Sequence, residues 1–427
     1  MSFSPALAFY RAATAALWPL ASPWLNARAR NGKEDSARLG ERFGRYAQPR
    51  PSGPLVWLHG ASVGESGVAL QLIEALNARR PELSFVLSTG TRTSATLVAR
   101  RAPPRTTHIY APLDRARAVR GFFAHWRPDL GIFVESELWP NLILQAERTA
   151  TPLALVNARM SPASLRRWAS WSTAGKRLLR PFAYVSAADM RTGNALSRLR
   201  GSDVPVLGNL KLAAPAPHID MPARAALEAE IGGRPVWLAA STHPGEDAIV
   251  LAAHERLRAE FSDALLIIAP RHPERGGAIA ALAGDAPRRS QGAPIGNASV
   301  YVADTMGELG LFYDLAPIAL VAGSLSNSLK GHNPVEPAKL GAAIVTGPFV
   351  ESFEELFGTL VAAGGASIVH GDTELARAVA ALWRDEAARV RQSAVAQDVV
   401  AQGDAAFGET IDRLAALLPR EAADARA

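Results

Sequence analysis

Residues 55–65 read Leu55-Val-Trp-Leu-His-Gly-Ala-Ser-Val-Gly-Glu65. Leu55–Leu58 is a short unbroken apolar run, the pattern of a strand buried on both faces. Small residues follow, and from Gly67 to Arg80 the apolar residues return at helical spacing. A buried strand that turns through small residues into a helix is the opening of a βαβ unit.

The same alternation continues outward from this stretch. Strands are predicted at Leu83–Ser88, Thr107–Tyr110, Leu130–Val134, Leu153–Val156, Tyr184–Ser186 and Pro205–Leu207, with helical spacing between them at Arg115–Trp126 and Leu138–Arg148. Strands and helices alternating at these lengths imply right-handed crossovers and a parallel sheet. Three prolines then fall within Ala213–Pro222, which reads as a linker. A second rhythm follows, with strands predicted at Val236–Ala239, Leu265–Ala269, Val300–Val302, Ile318–Val321, Ala343–Val345 and Ser367–Val369. The last stretch, from about Leu375, is alanine-rich and helical, with a break predicted near Gly403. The fold class is therefore α/β. The predicted domains are 51–212 and 223–402, joined by the linker 213–222, with a terminal helix and tail at 403–427.

The chain of 427 residues suits two domains of this size. It has no cysteine, which excludes disulfides, thiolate metal sites and cysteine nucleophiles. Its net charge of +6 is concentrated at one end: residues 1–50 hold eight basic and three acidic residues. That segment is +5, so the charge does not describe a general nucleic-acid surface. The same segment carries Leu7, Phe9, Tyr10, Leu17, Trp18, Leu20, Trp24 and Leu25. Between Arg11 and Arg28 lie 16 uncharged residues that include Pro19 and Pro23. A spanning helix needs about 20 apolar residues. The run suits a helix lying in the membrane interface, with tryptophans inserted and arginines on anionic headgroups. An amphipathic helix packed on its own domain is the plainer alternative.

Four sets of residues carry chemistry. In His59–Glu65 the strand-to-helix turn lets a ligand approach the backbone, and Glu65 stands at its mouth. There a carboxylate either accepts a proton from a sugar hydroxyl or only complements the helix dipole. Glu135-Ser136-Glu137-Leu138-Trp139-Pro140-Asn141 places two acids after another buried strand, where they bind acceptor hydroxyls, shape the field, or pair on a metal. Lys211, in Gly208-Asn209-Leu210-Lys211, can neutralise an anionic donor. In the second half, four sequences open helices after strands: Ser241–Glu246, Pro270–Arg275, Met306–Leu309 and Gly331–Pro337. Capping accounts for much of this, since Asn333 is a good cap and Pro334 a good first residue. Four such turns on one sheet edge, with His243, Arg271 and His272, also suit a phosphate.

Taken in order, these runs resemble the 3-deoxy-D-manno-octulosonic acid (Kdo) transferases of lipopolysaccharide synthesis. The resemblance includes Val156-Asn-Ala-Arg-Met160 and covers nearly the whole chain. It implies a GT-B fold, two Rossmann-like domains facing a cleft, with an N-terminal membrane-associated helix. It implies transfer of Kdo from CMP-Kdo to a lipid A precursor, with inversion, no metal and no cofactor. Glu65 is then the proton acceptor, with Glu135 and Lys211 as transition-state stabilisers. The donor nucleotide rests on Pro270, Arg271 and His272, on Met306, Gly307, Glu308 and Leu309, and on Asn333, Pro334, Val335 and Glu336. The expected partners are CMP-Kdo, the lipid acceptor and the inner-membrane surface on its cytoplasmic face, and no nucleic acid. The chain departs from the family pattern at Pro244, where a glutamate is usual, and at Lys330, where a glycine is usual. Two other readings fit a two-lobed α/β chain: a nucleotide-sugar 2-epimerase, and a sugar-binding protein without chemistry.

Overall fold

The computed structural model describes residues 4–135, 138–213 and 216–419. Two compact units divide the chain, Met1–Ala213 with Gly403–Ala427, and Ala214–Gln402.

The first unit is built on six parallel strands: β1 Leu55–Gly60, β2 Ser84–Thr89, β3 Thr106–Tyr110, β4 Leu130–Val134, β5 Leu153–Ala158 and β6 Phe182–Ala187. Their order across the sheet is β3-β2-β1-β4-β5-β6. The second unit has β7 Val236–Thr242, β8 Leu265–Pro270, β9 Val300–Val302, β10 Ile318–Val321, β11 Ala343–Thr346 and β12 Ala366–Ile368. Their order is β12-β11-β10-β7-β8-β9, the same winding repeated. In each sheet the winding reverses beside the first strand, between β1 and β4 and between β7 and β10. Ligands of doubly wound sheets bind beyond the carboxyl ends of the strands at such a point.

Burial on both faces explains the apolar runs. In β1 the side chain of Trp57 joins one core with Phe122, Phe123 and Phe133, while Val56 and Leu58 join another with Leu72, Ile73 and Leu76. Alternate residues point to opposite faces, so helices must cover both. The terminal helix supplies Ala406, Ile411 and Leu414 to the second of these cores.

Three expectations are corrected. Pro205–Leu207 is not a strand but a single bridge from Val206 to Ala187. Pro205 has no N–H to donate, and the chain turns away at Gly208, whose φ is 111°. Within 213–222, Ala214 and Pro215 lie outside the described residues, and the linker is short. Asp220 caps a helix, Met221–Ile231, with Pro222 in its first turn. Gly403 does not break the last helix, which runs unbroken over Glu386–Ala415. A Cβ at Gly403 would stand 2.3 Å from Cβ of Leu212, so the glycine serves a close approach.

At the amino end, helices span Pro5–Ala16 and Trp18–Arg30. Among the described residues no helix is long and apolar enough to cross a membrane. Leu7 is buried, and the Tyr10 hydroxyl donates to Asp114 at 2.9 Å, which ties the first helix to its unit. Phe9, Leu17, Leu20 and Trp24 remain 52–75% exposed. Four of the basic residues of 1–50 are used internally, and Arg50 pairs with Asp129 at 3.5 Å. Arg28 and Arg42 pair with Glu34 at 3.0 and 2.9 Å, and Arg38 pairs with Glu41 at 2.8 Å.

Candidate active site

In the first unit, Ser62 caps the helix Val63–Arg79 by accepting from Glu65 N–H. The Glu65 carboxylate in turn accepts from Ser62 Oγ at 2.6 Å and from Ala61 N–H at 2.7 Å. This is a reciprocal cap of the Ser-x-x-Glu type. It makes Glu65 both a buried capping group and a carboxylate held in one orientation at the β1 edge. The two bonds fix the direction in which that carboxylate presents its oxygens.

Glu135 follows β4 on the other side of the reversal. Its φ is 63°, a left-handed conformation that costs a non-glycine residue about 1–3 kcal/mol. Its carboxylate meets the Lys211 ammonium at 2.5 Å. Lys211 is also beside the helix start at Gly64, where an added Cβ would stand 3.4 Å from Lys211 Nζ. The structure thus gathers Glu65, Glu135 and Lys211, from a helix start, a strand end and a short helical turn, at one sheet edge. Ser136 and Glu137 lie outside the described residues.

Asn157, in the run Val156–Met160, is how Lys211 arrives at this edge. At the end of β5 it adopts φ 54°, and its buried Oδ1 accepts from Leu210 N–H at 3.0 Å. Asn209 Oδ1 accepts from Lys211 N–H at 3.0 Å and fixes the next residue. Asparagine tolerates this backbone better than most residues, and that is the signal in the sequence. Beside this edge is a cavity of about 220 Å³ whose lining includes Trp24, Arg28, His59, Ala61 and Trp139. Ala61 is the residue whose N–H holds Glu65.

In the second unit the carboxyl ends of β7, β8 and β10 come together. Pro270 and Arg271 line a cavity with Met306, Gly307, Leu309 and Ser241. Ser241 has φ 61° at an irregularity of β7. Glu308 is not among the lining residues. Its carboxylate is bound by Arg289 at 2.6 Å and by Thr305 Oγ1, and the guanidinium holds its pKa below the usual range. The Glu308 carboxylate therefore secures the turn. His272 is exposed and packs edge-on to His243, with ring centroids 5.9 Å apart. Asn333 Oδ1 accepts from Val335 N–H at 3.1 Å, just ahead of the helix Val335–Lys339, but the cap position itself is held by Pro334 and not, as expected, by Asn333. Pro334, Val335 and Glu336 form that helix start, outside the lining of this cavity.

The residue that organises this edge is Glu246, an acid most of whose partners lie far from it in the sequence. It is fully buried and accepts from the N–H groups of His243, Gly323, Ser324 and Leu325, at 2.8–3.0 Å. One carboxylate thereby joins the β7 and β10 loops across the reversal. The His243 and His332 rings are stacked, with Nε2 atoms 2.9 Å apart. Burial, then the charges of His243 and Arg271, pulls His332 down to about 4, so one ring donates to the other while both are neutral.

A family model described as 3-deoxy-D-manno-octulosonic-acid transferase (kdotransferase) matches residues 37–214. The chain is 34% identical over 385 residues to a probable mitochondrial 3-deoxy-D-manno-octulosonic acid transferase of Arabidopsis thaliana, covering 86% of this chain and 85% of that one. It is 33% identical over 402 residues to the 3-deoxy-D-manno-octulosonic acid transferase of Haemophilus influenzae, covering 90% and 92%. Among solved structures, UDP-GlcNAc 2-epimerase from Neisseria meningitidis bound to UDP-GlcNAc aligns with a TM-score of 0.51 at 13% identity, over 85% of this chain and 100% of that one, which is a likeness of fold. Sequence identity sustained across most of both chains shows that the protein belongs to the Kdo transferase family and is a glycosyltransferase.

Proposed function

We propose that the protein is a GT-B, inverting transferase that moves Kdo from CMP-Kdo to a lipid A precursor at the cytoplasmic face of the inner membrane. The observation that carries this reading is the meeting of Glu65, Glu135 and Lys211 beside a cavity lined by Trp24 and Trp139. The acceptor sugar enters that cavity from the membrane side, and its hydroxyl gives its proton to Glu65 while attacking the anomeric carbon. Ser62 and the Ala61 N–H hold the carboxylate in place for this. Lys211, steadied by Glu135, offers its positive charge to the charge that develops on transfer.

In the second unit, the CMP phosphate leaves toward Arg271 and the turn at Met306–Leu309. Arg271 is one of the residues that line the cavity, and a guanidinium holds a phosphate through charge-assisted hydrogen bonds. The exposed apolar side chains of 5–30 supply the membrane contact. Incubating the protein with labelled CMP-Kdo, with and without a lipid A precursor, tests the reading. Label entering the lipid supports it. Label that stays in the nucleotide sugar, with or without isomerisation, contradicts it.

A further inference from the structure

A groove between the helices Pro5–Ala16 and Ala116–Trp126 takes no part in the transfer chemistry. Its volume is about 560 Å³, and four arginines line it: Arg11, Arg115, Arg117 and Arg120. The rest of the lining is alanine, at positions 8, 12, 15 and 116. Ala8, Arg11, Ala12 and Ala15 share one face of the first helix, at helical spacing. Small side chains there leave the space open and the guanidinium groups accessible.

The charge in this groove is not balanced from within. Among the described residues, none that lines it is acidic. The neighbouring Asp114 is buried, and its carboxylate is taken up by Tyr10 Oη, Asn141 N–H and Leu142 N–H. Arg115 lies over the Trp18 ring at 4.6 Å, and its buried Nε has no hydrogen-bond partner. Arg115 is also the cap residue of the helix Ala116–Trp126, with no capping side-chain bond and no acid in the first turn. Cations at that end have the wrong sign for the helix dipole. An anion between the two helices relieves both repulsions at once. Guanidinium groups in number match a phosphate better than a carboxylate, because each offers a planar fork to its oxygens.

The position of the groove selects the source of the phosphate. Along the same amino-terminal segment, Phe9, Leu17, Leu20 and Trp24 are exposed. We propose that the groove binds the headgroup phosphate of an anionic membrane lipid, so that the protein is held by one seated lipid as well as by apolar insertion. This rests on reading residues 5–30 as membrane-facing, and it adds a defined site to that reading.

The test is co-sedimentation of the full-length protein with phosphatidylcholine vesicles and with vesicles containing phosphatidic acid. The variant pair Arg117→Gln/Arg120→Gln removes two groove cations that are exposed, so the fold is kept. The pair Arg100→Gln/Arg101→Gln removes the same charge from another exposed helix end of the same unit. The expected result is a loss of vesicle binding of about tenfold or more for the groove pair, and within about twofold for the other. Equal losses reduce the effect to diffuse charge and overturn the site. Unchanged binding of the groove pair, with wild type still sedimenting, overturns the site but leaves the membrane-facing segment intact. Absence of wild-type binding to either vesicle overturns both. Wild-type binding to soluble glycerol phosphate as tight as to the vesicles overturns the lipid assignment.

Discussion

The Lys211 ammonium stands 2.5 Å from Oε1 of Glu135, joining the short helical turn Leu210–Leu212 to the end of β4. Lys211 is 39% exposed, so water screens the pair, and such pairs contribute about 0–1 kcal/mol to stability. Its value lies in placing a cation beside the Glu65 turn. Lys211→Ala and Glu135→Gln are each expected to lower kcat by about 10²-fold or more, with small changes in Tm. The double variant should lose far less than the product of the two, because the groups act as one unit. Steady-state kinetics with thermal melts on the same four proteins checks this.

Glu65 has two tasks that substitution can separate. Glu65→Gln keeps a side chain that can still cap, so the fold should hold while kcat falls by about 10²–10⁴-fold. Donor binding, measured by calorimetry with CMP, should be unchanged. Ser62→Ala removes the reciprocal cap and should cost about 0.5–2 kcal/mol of stability. Activity in Ser62→Ala should fall less than in Glu65→Gln, since the base itself remains.

Arg271 and Glu308 lie near one cavity yet should respond differently. Losing a hydrogen bond to a charged group costs about 1.5–3 kcal/mol, which is about a 10- to 150-fold weakening. Arg271→Ala should weaken CMP binding by that factor. Glu308→Gln should first lower the melting temperature, because its carboxylate holds Arg289 and Thr305. Calorimetry and melting curves on both variants decide the division.

Acid should loosen the second unit through His254. Trp237 Nε1 donates to its Nδ1 at 3.2 Å, and its Nε2 meets Ser299 O at 2.8 Å. A second ring proton would face the Trp237 N–H, and burial holds the pKa at about 4 rather than 6.5. Between those values the unfolded chain binds a proton that the folded chain does not. Stability is therefore full above about pH 6.5, declines as pH falls, and levels off below about 4, a loss on the order of 3 kcal/mol. His332, at about 4, acts in the same direction in this unit, and His108, at about 3, does so in the first unit. Denaturant titrations from pH 7 to 4 should show the decline. His254→Gln, which can keep both hydrogen bonds, should make it shallower.

Much of this architecture is legible in the sequence because strands buried on both faces must be apolar throughout, as Leu55–Leu58 and Leu265–Ala269 are. Small-residue turns at the strand ends mark where the chemistry stands. Residues whose meaning depends on a distant partner are not legible in this way. Gly403 reads as a helix break until Leu212 is seen against it. Glu308 is a donor-contact candidate in the sequence, and only the fold shows Arg289 against its carboxylate. Glu246 looks like an ordinary helix-start acid, and only the fold brings Gly323, Ser324 and Leu325 to it. Lys330 has a left-handed backbone, φ 64°, which glycine adopts at less cost than lysine.

The most direct test is the mass of the lipid product formed from CMP-Kdo and a tetra-acylated lipid A precursor by wild type and by Glu65→Gln. Wild type should yield acceptor enlarged by whole Kdo residues with release of CMP, and Glu65→Gln should yield almost none in the same time. Unchanged acceptor mass with wild type, or equal product from Glu65→Gln, would contradict the account.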